Sequence, residues 1–545
     1  MAARLAHSVF RRARLPADDR PAVASRAYAA MLTGLLLLFL GVSIVNIDRV
    51  PPVFEDEPWQ ASTGWKIARD GVFGSDMFAG YHGMERHYYG YMPVHPLLLA
   101  ATFRVAGVGV EQMRVEAAIL ALLTVALTWL IAHRLFGPTV ALLAVALLVL
   151  VRLLGQSPLA LTGIPLVDGA RIARYDIAVP VFGLAALLAC VHARERPGWF
   201  WLAVSGMLSA LAGLSHVYGM FWFAAIALLA LWDRARPRQL VALAAGFTIP
   251  WLAYAGWVLP HVDDWRGQTR IYGSRFELLD PGWYFGNLLR EYHRYGPGLG
   301  PAGWGWLERP GFWVALVVLP ASLAALGRRA VRGDRAARAL VVPATVIPVL
   351  FALTLQVKQA GYLLTIVPLG AIVAAWGVVA LWRWLPAFGW GRSARLALAG
   401  VGVLVAVEGA GQLRAVENAT AAGTPYDAYV ARLRAETPPG ARVLGVHTWW
   451  LGFYDADYHA WLVPLLLADP RYEEAPLAID AALDGGDPEV VLIEAELRAV
   501  LDARADLGPV VDAWLARHGF ALVATIDDPT WGSTEVYRRD VAGGS

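Results

Sequence analysis

The sequence predicts an α-helical polytopic membrane protein of about eleven transmembrane spans, followed by a small α/β domain. Three observations carry that prediction. Apolar residues make up 57% of the chain and charged residues only 17%, where soluble domains hold about 25% charged residues. The apolar residues gather in repeated runs near the length that a bilayer requires, about 17–25 residues. Arginine collects in every second connection between those runs, as in loops kept in the cytoplasm.

The runs lie near 28–47, 115–133, 138–154, 176–192, 198–213, 216–232, 238–259, 311–327, 338–356, 361–382 and 394–411. Pro180, Pro250, Pro343, Pro348 and Pro368 are expected to kink or start helices, with neighbours satisfying the freed backbone groups. Six arginines precede the first run within residues 1–26. The run is long enough to span and many others follow, so it reads as a retained helix and not as a cleaved signal. With this tail cytoplasmic, the connections 133–134, 194–196, 233–238, 328–338 and 383–395 also fall inside, and each bears arginine. The short external connections are poorer in cations.

Two external connections are long, 48–114 and 260–310. Both are rich in Trp, Tyr and His, which places them along the headgroup layer. From about residue 415 charge and turn residues rise and no further span appears. Segments 442–447, 489–493, 520–526 and 534–537 read as strands, and 427–436, 496–506 and 509–518 as helices. The expected division is a membrane domain over 1–414 and an extracytoplasmic α/β domain over 415–545.

Composition removes several function classes. A net charge of +2 supplies no field to gather nucleic acid. There is no phosphate-cradling Walker loop. Cys190 is the only cysteine, so no intramolecular disulfide forms, and a single thiol inside an apolar run is ordinarily a small apolar residue. No histidines show zinc-ligand spacing.

Chemistry concentrates at the external ends of the runs. Glu55, Asp56 and Glu57 follow the first span. Adjacent acids raise one another's pKa, and such a carboxylate can act as general base towards an acceptor hydroxyl; an acidic loop that only orients the helix is the plainer reading. Asp168, Arg171, Arg174 and Asp176 stand at the mouth of the fourth span, with Arg171, Arg174 and Tyr175 on one face if the segment is helical. Ionisable groups there are costly unless paired or functional, and a local Arg–Asp bridge would also account for them. Lys358 occupies a short external turn, where it suits a phosphate or simply snorkels. His216, and the Tyr88–Pro96 segment with Tyr91 and His95, are weaker candidates. His447, Trp449 and Trp450 of the tail read as core or membrane-facing.

Together these pieces resemble the GT-C membrane glycosyltransferases, in the protein O-mannosyltransferase and aminoarabinose-transferase branch. The resemblance rests on Asp56-Glu57 after the first span, the large first external loop, Pro93 to Pro96, the Arg-x-x-Arg-Tyr-Asp segment from Arg171 to Asp176, Ser215-His216, and the Lys358 to Leu364 segment with Tyr362. It implies a sugar donor on a polyprenyl or dolichyl phosphate, and a protein, lipid or glycan acceptor. Asp56 matches the catalytic aspartate, Glu57 its supporting acid, and Asp176 a second acid near the sugar or acceptor. Lys358, Arg174 and Arg171 would neutralise the lipid phosphate, with His216, Tyr91, His95 and Tyr362 lining the substrate. Inversion by direct displacement would follow. No cofactor is implied beyond the lipid-phosphate sugar, and a divalent metal is neither required nor excluded. One departure is Tyr91-Met92, where the aminoarabinose branch carries a lysine. The expected location is the plasma membrane, with the N-terminus cytoplasmic and the tail domain external. The competing reading is a transporter or flippase, whose ionisable residues would sit near the bilayer midplane.

Overall fold

The computed structural model describes residues 22–154, 160–196, 198–273, 275–295, 310–385 and 391–539. The arginines of the N-terminal tail before residue 22, the segment 296–309 of the second long loop and residues 386–390 of the connection before the last predicted run lie outside the described residues.

Helices stand at each predicted run: Ala22–Ile44, Val110–Phe136, Pro138–Leu150, Ala178–Glu195, Phe200–Ser215, Met220–Trp232, Pro237–Val258, Pro310–Val331, Arg335–Thr354, Leu363–Trp384 and Gly391–Ala422. Among the described residues, seven helices are long and apolar enough to cross a membrane. Pro138–Leu150, Phe200–Ser215 and Met220–Trp232 are shorter, at 13, 16 and 13 residues. At 1.5 Å per residue, 13 residues reach only about 20 Å of the ~30 Å hydrocarbon layer.

Small residues let two of these helices touch. A Cβ on Gly206 would lie 2.1 Å from the Leu243 carbonyl oxygen, and one on Gly246 would lie 2.1 Å from that of Ala203. Close backbone approach of this kind drives helix association where lipid offers no hydrophobic force.

The two ends of the bundle differ in chemistry. At one end arginines pair with acids across the connections. Arg134 donates to Glu195, Arg194 to Asp233, and Arg329 to Asp334 at 2.6 Å. The other end carries the first long loop, which folds into helices Asp56–Asp70 and Val94–Ala106. These pack so closely that a Cβ on Gly64 would meet the Leu99 Cβ at 2.9 Å.

The tail forms a five-stranded sheet of order β2-β1-β3-β5-β4. Here β1 is Val443–Gly445, β2 Tyr458–Ala460, β3 Val490–Glu494, β4 Phe520–Asp528 and β5 Gly532–Arg539. β1 runs parallel to β2 and β3, and β5 runs antiparallel to β3 and β4. Helices Tyr426–Ala435, Ala495–Asp502 and Gly508–Arg517 fall on the three predicted segments, while β2 and the short helices Leu462–Leu467 and Ile479–Asp484 were not predicted. The Gly391–Ala422 helix continues through the expected boundary at 414/415.

The sheet region shares one hydrophobic core with the first loop, in which Phe78, Tyr88 and Met113 join Tyr429, Trp449 and Trp514. His82 of the loop contacts Glu473 at 2.6 Å, and Arg270 of the second loop donates to Glu474 at 2.6 Å. The tail and both long loops therefore occupy one end of the bundle.

Candidate active site

The Asp56–Asp70 helix opens with Asp56 and Glu57 in its first turn, where acids suit the positive end of the helix dipole. Their side chains part company. Glu57 is fully buried. It accepts from Arg114 at 2.8 and 2.7 Å, from the Phe54 amide at 2.8 Å and from the Ala173 amide at 2.9 Å. Arg114 also donates to the Ile47 and Pro51 carbonyls, both at 2.8 Å. Glu57 therefore ties the loop to the Val110–Phe136 helix; expected as the acid supporting Asp56, it is fully buried and does not itself reach a substrate.

The expectation for Arg171 is corrected. The segment around it is a turn, so Arg171, Arg174 and Tyr175 do not share a helical face. Arg171 is buried and donates to the carbonyls of Val42, Val45 and Val50 at 2.6, 2.9 and 2.7 Å. A helix end leaves such carbonyls unpaired, and the guanidinium caps them. Both terminal nitrogens of Arg171 are thus bonded to the end of the Ala22–Ile44 helix and the turn that follows it, away from Asp56 and Asp176.

Arg174 has extended backbone, φ −120° and ψ 147°, and turns the other way. Its guanidinium lies 3.2 Å from Asp56 and 3.1 Å from Asp176. It also donates to Gln359 at 3.0 Å and sits 5.1 Å over the Phe54 ring. Tyr91 donates to Asp56 at 2.8 Å and Tyr218 to Asp176 at 2.6 Å. The second Asp176 oxygen is buried and accepts no hydrogen bond. Around this core stand aromatic rings: Tyr175 stacks 4.8 Å from His216, Tyr91 lies 5.1 Å from Tyr175, and Tyr362 lies 5.5 Å from His216. Gly361 lets the next turn approach, since a Cβ there would lie 3.2 Å from Arg174 and 3.3 Å from Asp176.

Burial raises the Asp56 carboxyl pKa above its ordinary value; Arg174 and the Tyr91 hydroxyl oppose that rise, and Asp176 and Glu57 add to it. Glu55 is raised by burial and by Asp56. His216 is pushed down to about 3 by burial and by Arg174. It is neutral at physiological pH, and its Nδ1 accepts from the Tyr218 amide at 3.3 Å.

Lys358 does not touch this core. It is nearly buried and donates to Glu291 at 2.7 Å and to the Ala352 carbonyl at 3.0 Å. Its neighbour Gln359 makes the link to Arg174. His95 is also outside the core: it is fully buried beneath the Asp56 helix, 3.2 Å from Gln60 and 3.5 Å from Glu116. Its expected place along the substrate is corrected. From the tail, His447 comes to 3.9 Å from Glu55, with its ring 6.0 Å from Trp59.

Sequence reasoning missed Tyr218, Gln359, Glu291, Arg294 and the partner of Glu57, Arg114. All but Arg294 make their decisive contact with a residue distant in sequence, Tyr218 with Asp176, Gln359 with Arg174, Glu291 with Lys358 and Arg114 with Glu57. It also missed a gathering of His87, His261 and Asp264, whose ligand atoms all lie within 4.8 Å of one another, because 174 residues separate its histidines. The core itself is two carboxylates sharing one guanidinium in an aromatic cup. That arrangement can accept a proton and hold an anion within one site.

The comparisons agree on the fold. Over 95% of this chain and 99% of the other, the structure superposes on ArnT from Cupriavidus metallidurans bound to undecaprenyl phosphate, with TM-score 0.59 and 16% identity. Over 95% and 75% it superposes on the oligosaccharyltransferase of Archaeoglobus fulgidus, with TM-score 0.56 and 13% identity. The chain has the GT-C fold. A second structure of the archaeal enzyme, AglB in complex with an inhibitory peptide and a dolichol-phosphate, matches with TM-score 0.53 and 12% identity over 96% of this chain and 75% of that one. The family of dolichyl-phosphate-mannose-protein mannosyltransferases matches residues 91–259, which hold the GT-C helices from Val94–Ala106 to Pro237–Val258 together with Arg174, Asp176 and His216. No curated protein matches the chain. The chain is a multi-pass membrane protein.

Proposed function

We propose that this protein is a glycosyltransferase that moves a sugar from a polyprenyl- or dolichyl-phosphate donor to a protein, lipid or glycan acceptor. One observation carries the reading: Asp56 and Asp176 bracket Arg174 at a helix-end cluster, in a fold shared with an enzyme bound to undecaprenyl phosphate. In the reaction, the acceptor O–H gives its proton to Asp56. The acceptor oxygen attacks the anomeric carbon from the face opposite the phosphate, so configuration inverts. The bond from that carbon to the phosphate oxygen breaks and its electron pair leaves with the lipid phosphate. Arg174 stands beside the developing charge, and preorganised cations of this kind supply the largest share of such catalysis. Asp176, held by Tyr218, orients Arg174. Tyr91, Tyr175, His216 and Tyr362 form the wall against which a sugar lies. No nucleotide is needed, because the phosphate linkage already activates the sugar.

Residues 1–414 are assigned to the membrane transferase and 415–545 to the extracytoplasmic domain. The end bearing arginine-rich connections faces the cytoplasm by the positive-inside trend, which puts Asp56 and the tail outside, at the plasma membrane. The test is incubation of the purified protein with radiolabelled polyprenyl-phosphate sugars and a membrane extract. Label passing from the lipid to an acceptor is the expected result; label that stays on the lipid for every sugar offered would refute the proposal.

A further inference from the structure

Lys358 lies in a three-part ion cluster that the reaction above leaves unused. The Glu291 carboxylate accepts from Arg294 at 2.7 and 3.2 Å and from Lys358 at 2.7 Å. Arg294 has no exposed side-chain surface, Lys358 has 5% and Glu291 has 14%. The cations are fixed from behind. Lys358 also donates to the Ala352 carbonyl at 3.0 Å, and Arg294 lies 5.1 Å over Phe351 and 5.7 Å over Tyr362. Arg294 further approaches the Gln359 carbonyl at 3.5 Å, while the Gln359 side chain accepts from Arg174 at 3.0 Å. Lys358, Arg294 and Arg174 thus flank one backbone turn that leads to Asp56.

A carboxylate and a phosphate present the same pair of oxygens to a guanidinium fork. Two buried cations around one carboxylate leave a surplus positive charge, and such clusters add little to stability for their desolvation cost. Glu291 has the outermost side chain of the three, and its segment has a separate anchor, since Asn287 donates to the Leu353 carbonyl at 3.2 Å. Glu291 can therefore swing outward without undocking the loop. The resemblance already implies Lys358 beside the lipid phosphate; we propose that Arg294 completes that seat and that Glu291 is an internal occupant which the phosphate displaces. This rests on the donor reading above. A seat that must first release its occupant shows reduced affinity by the fraction of time it is open, so removing the charge of Glu291 tightens phosphate binding.

The test measures binding of undecaprenyl phosphate, inorganic phosphate and phosphatidylglycerol to the full-length protein in detergent. Glu291→Gln is expected to bind undecaprenyl phosphate about tenfold more tightly than wild type, with Lys358→Ala weaker than wild type. Glu291→Asp, which keeps the charge but shortens the reach, covers the case in which the glutamine variant does not fold, and it too is expected to bind more tightly. Wild-type binding with equal or weaker binding by folded Glu291 variants would overturn the occupant role and leave the donor reading intact. A gain confined to inorganic phosphate or to phosphatidylglycerol would overturn the seat for a polyprenyl phosphate. Absence of undecaprenyl phosphate binding in every variant would overturn the seat and the donor reading together.

Discussion

A carboxylate that takes a proton during catalysis works best when its pKa lies near the working pH. Asp56 is moved in that direction by burial, against the pull of Arg174. Only the deprotonated form is a base, so transfer rises with pH through the raised Asp56 pKa. Removing Arg174 removes a cation that lowers that pKa. The acid limb of the rate profile for Arg174→Ala is expected to move to higher pH, alongside a lower maximal rate; an unmoved limb would separate Asp56 from the titration. His216 is neutral above about pH 3, so His216→Gln is expected to change affinity for the sugar and leave the limb in place. That Asp56, Arg174 and Asp176 stand out was legible in the sequence because ionisable groups at the ends of apolar runs are costly unless paired or functional, and the structure brings the three together. Sequence shows charge but not direction, and that is why Arg171 was misread: it points at backbone carbonyls. Arg294 and Glu291 are three residues apart, but nothing in that spacing points to their third member, Lys358, which comes from a turn 67 residues away from Glu291.

At the scale of elements, the Glu57–Arg114 pair, in which both side chains are fully buried, anchors the end of the Asp56–Asp70 helix that carries Asp56. Breaking one partner of such a pair strands the other charge and costs about 3–5 kcal/mol. Glu57→Gln is expected to lower the unfolding temperature in detergent sharply, with Glu57→Gln/Arg114→Met recovering part of the loss. Equal stability of Glu57→Gln and wild type would contradict a structural role. The Ala360–Tyr362 turn packs tightly on the core, since a Cβ at residue 361 would lie 3.2 Å from Arg174 and 3.3 Å from Asp176. Gly361→Val is expected to force Arg174 off Asp176 and reduce transfer while the protein stays folded; transfer at the wild-type rate would show that the turn lies farther away. The spanning helices were legible because the bilayer demands long apolar runs. Strand β2 was not, since its three residues, Tyr458, His459 and Ala460, are too few to show an alternation.

For the whole molecule, the shared core between the first loop and the sheet packs the tail against the loop that carries Asp56. His447 at 3.9 Å from Glu55 brings the tail to the edge of the site, which sequence could not reveal because the two residues are 392 positions apart. Orientation is testable because Cys190 is the single cysteine and is buried. In a Cys190→Ser background, Ala503→Cys is expected to react with a membrane-impermeant thiol reagent on intact cells, and Arg332→Cys only after lysis. The reverse pattern would invert the protein in the membrane and place Asp56 on the cytoplasmic side.

The most direct measurement is the transfer rate of Asp56→Asn, with donor binding measured on the same preparation. Loss of the base is expected to lower transfer by about 10²–10⁴-fold while undecaprenyl phosphate still binds. Transfer at the wild-type rate by a folded Asp56→Asn protein would show that the proton goes elsewhere and that the carboxylates around Arg174 are not the catalytic centre.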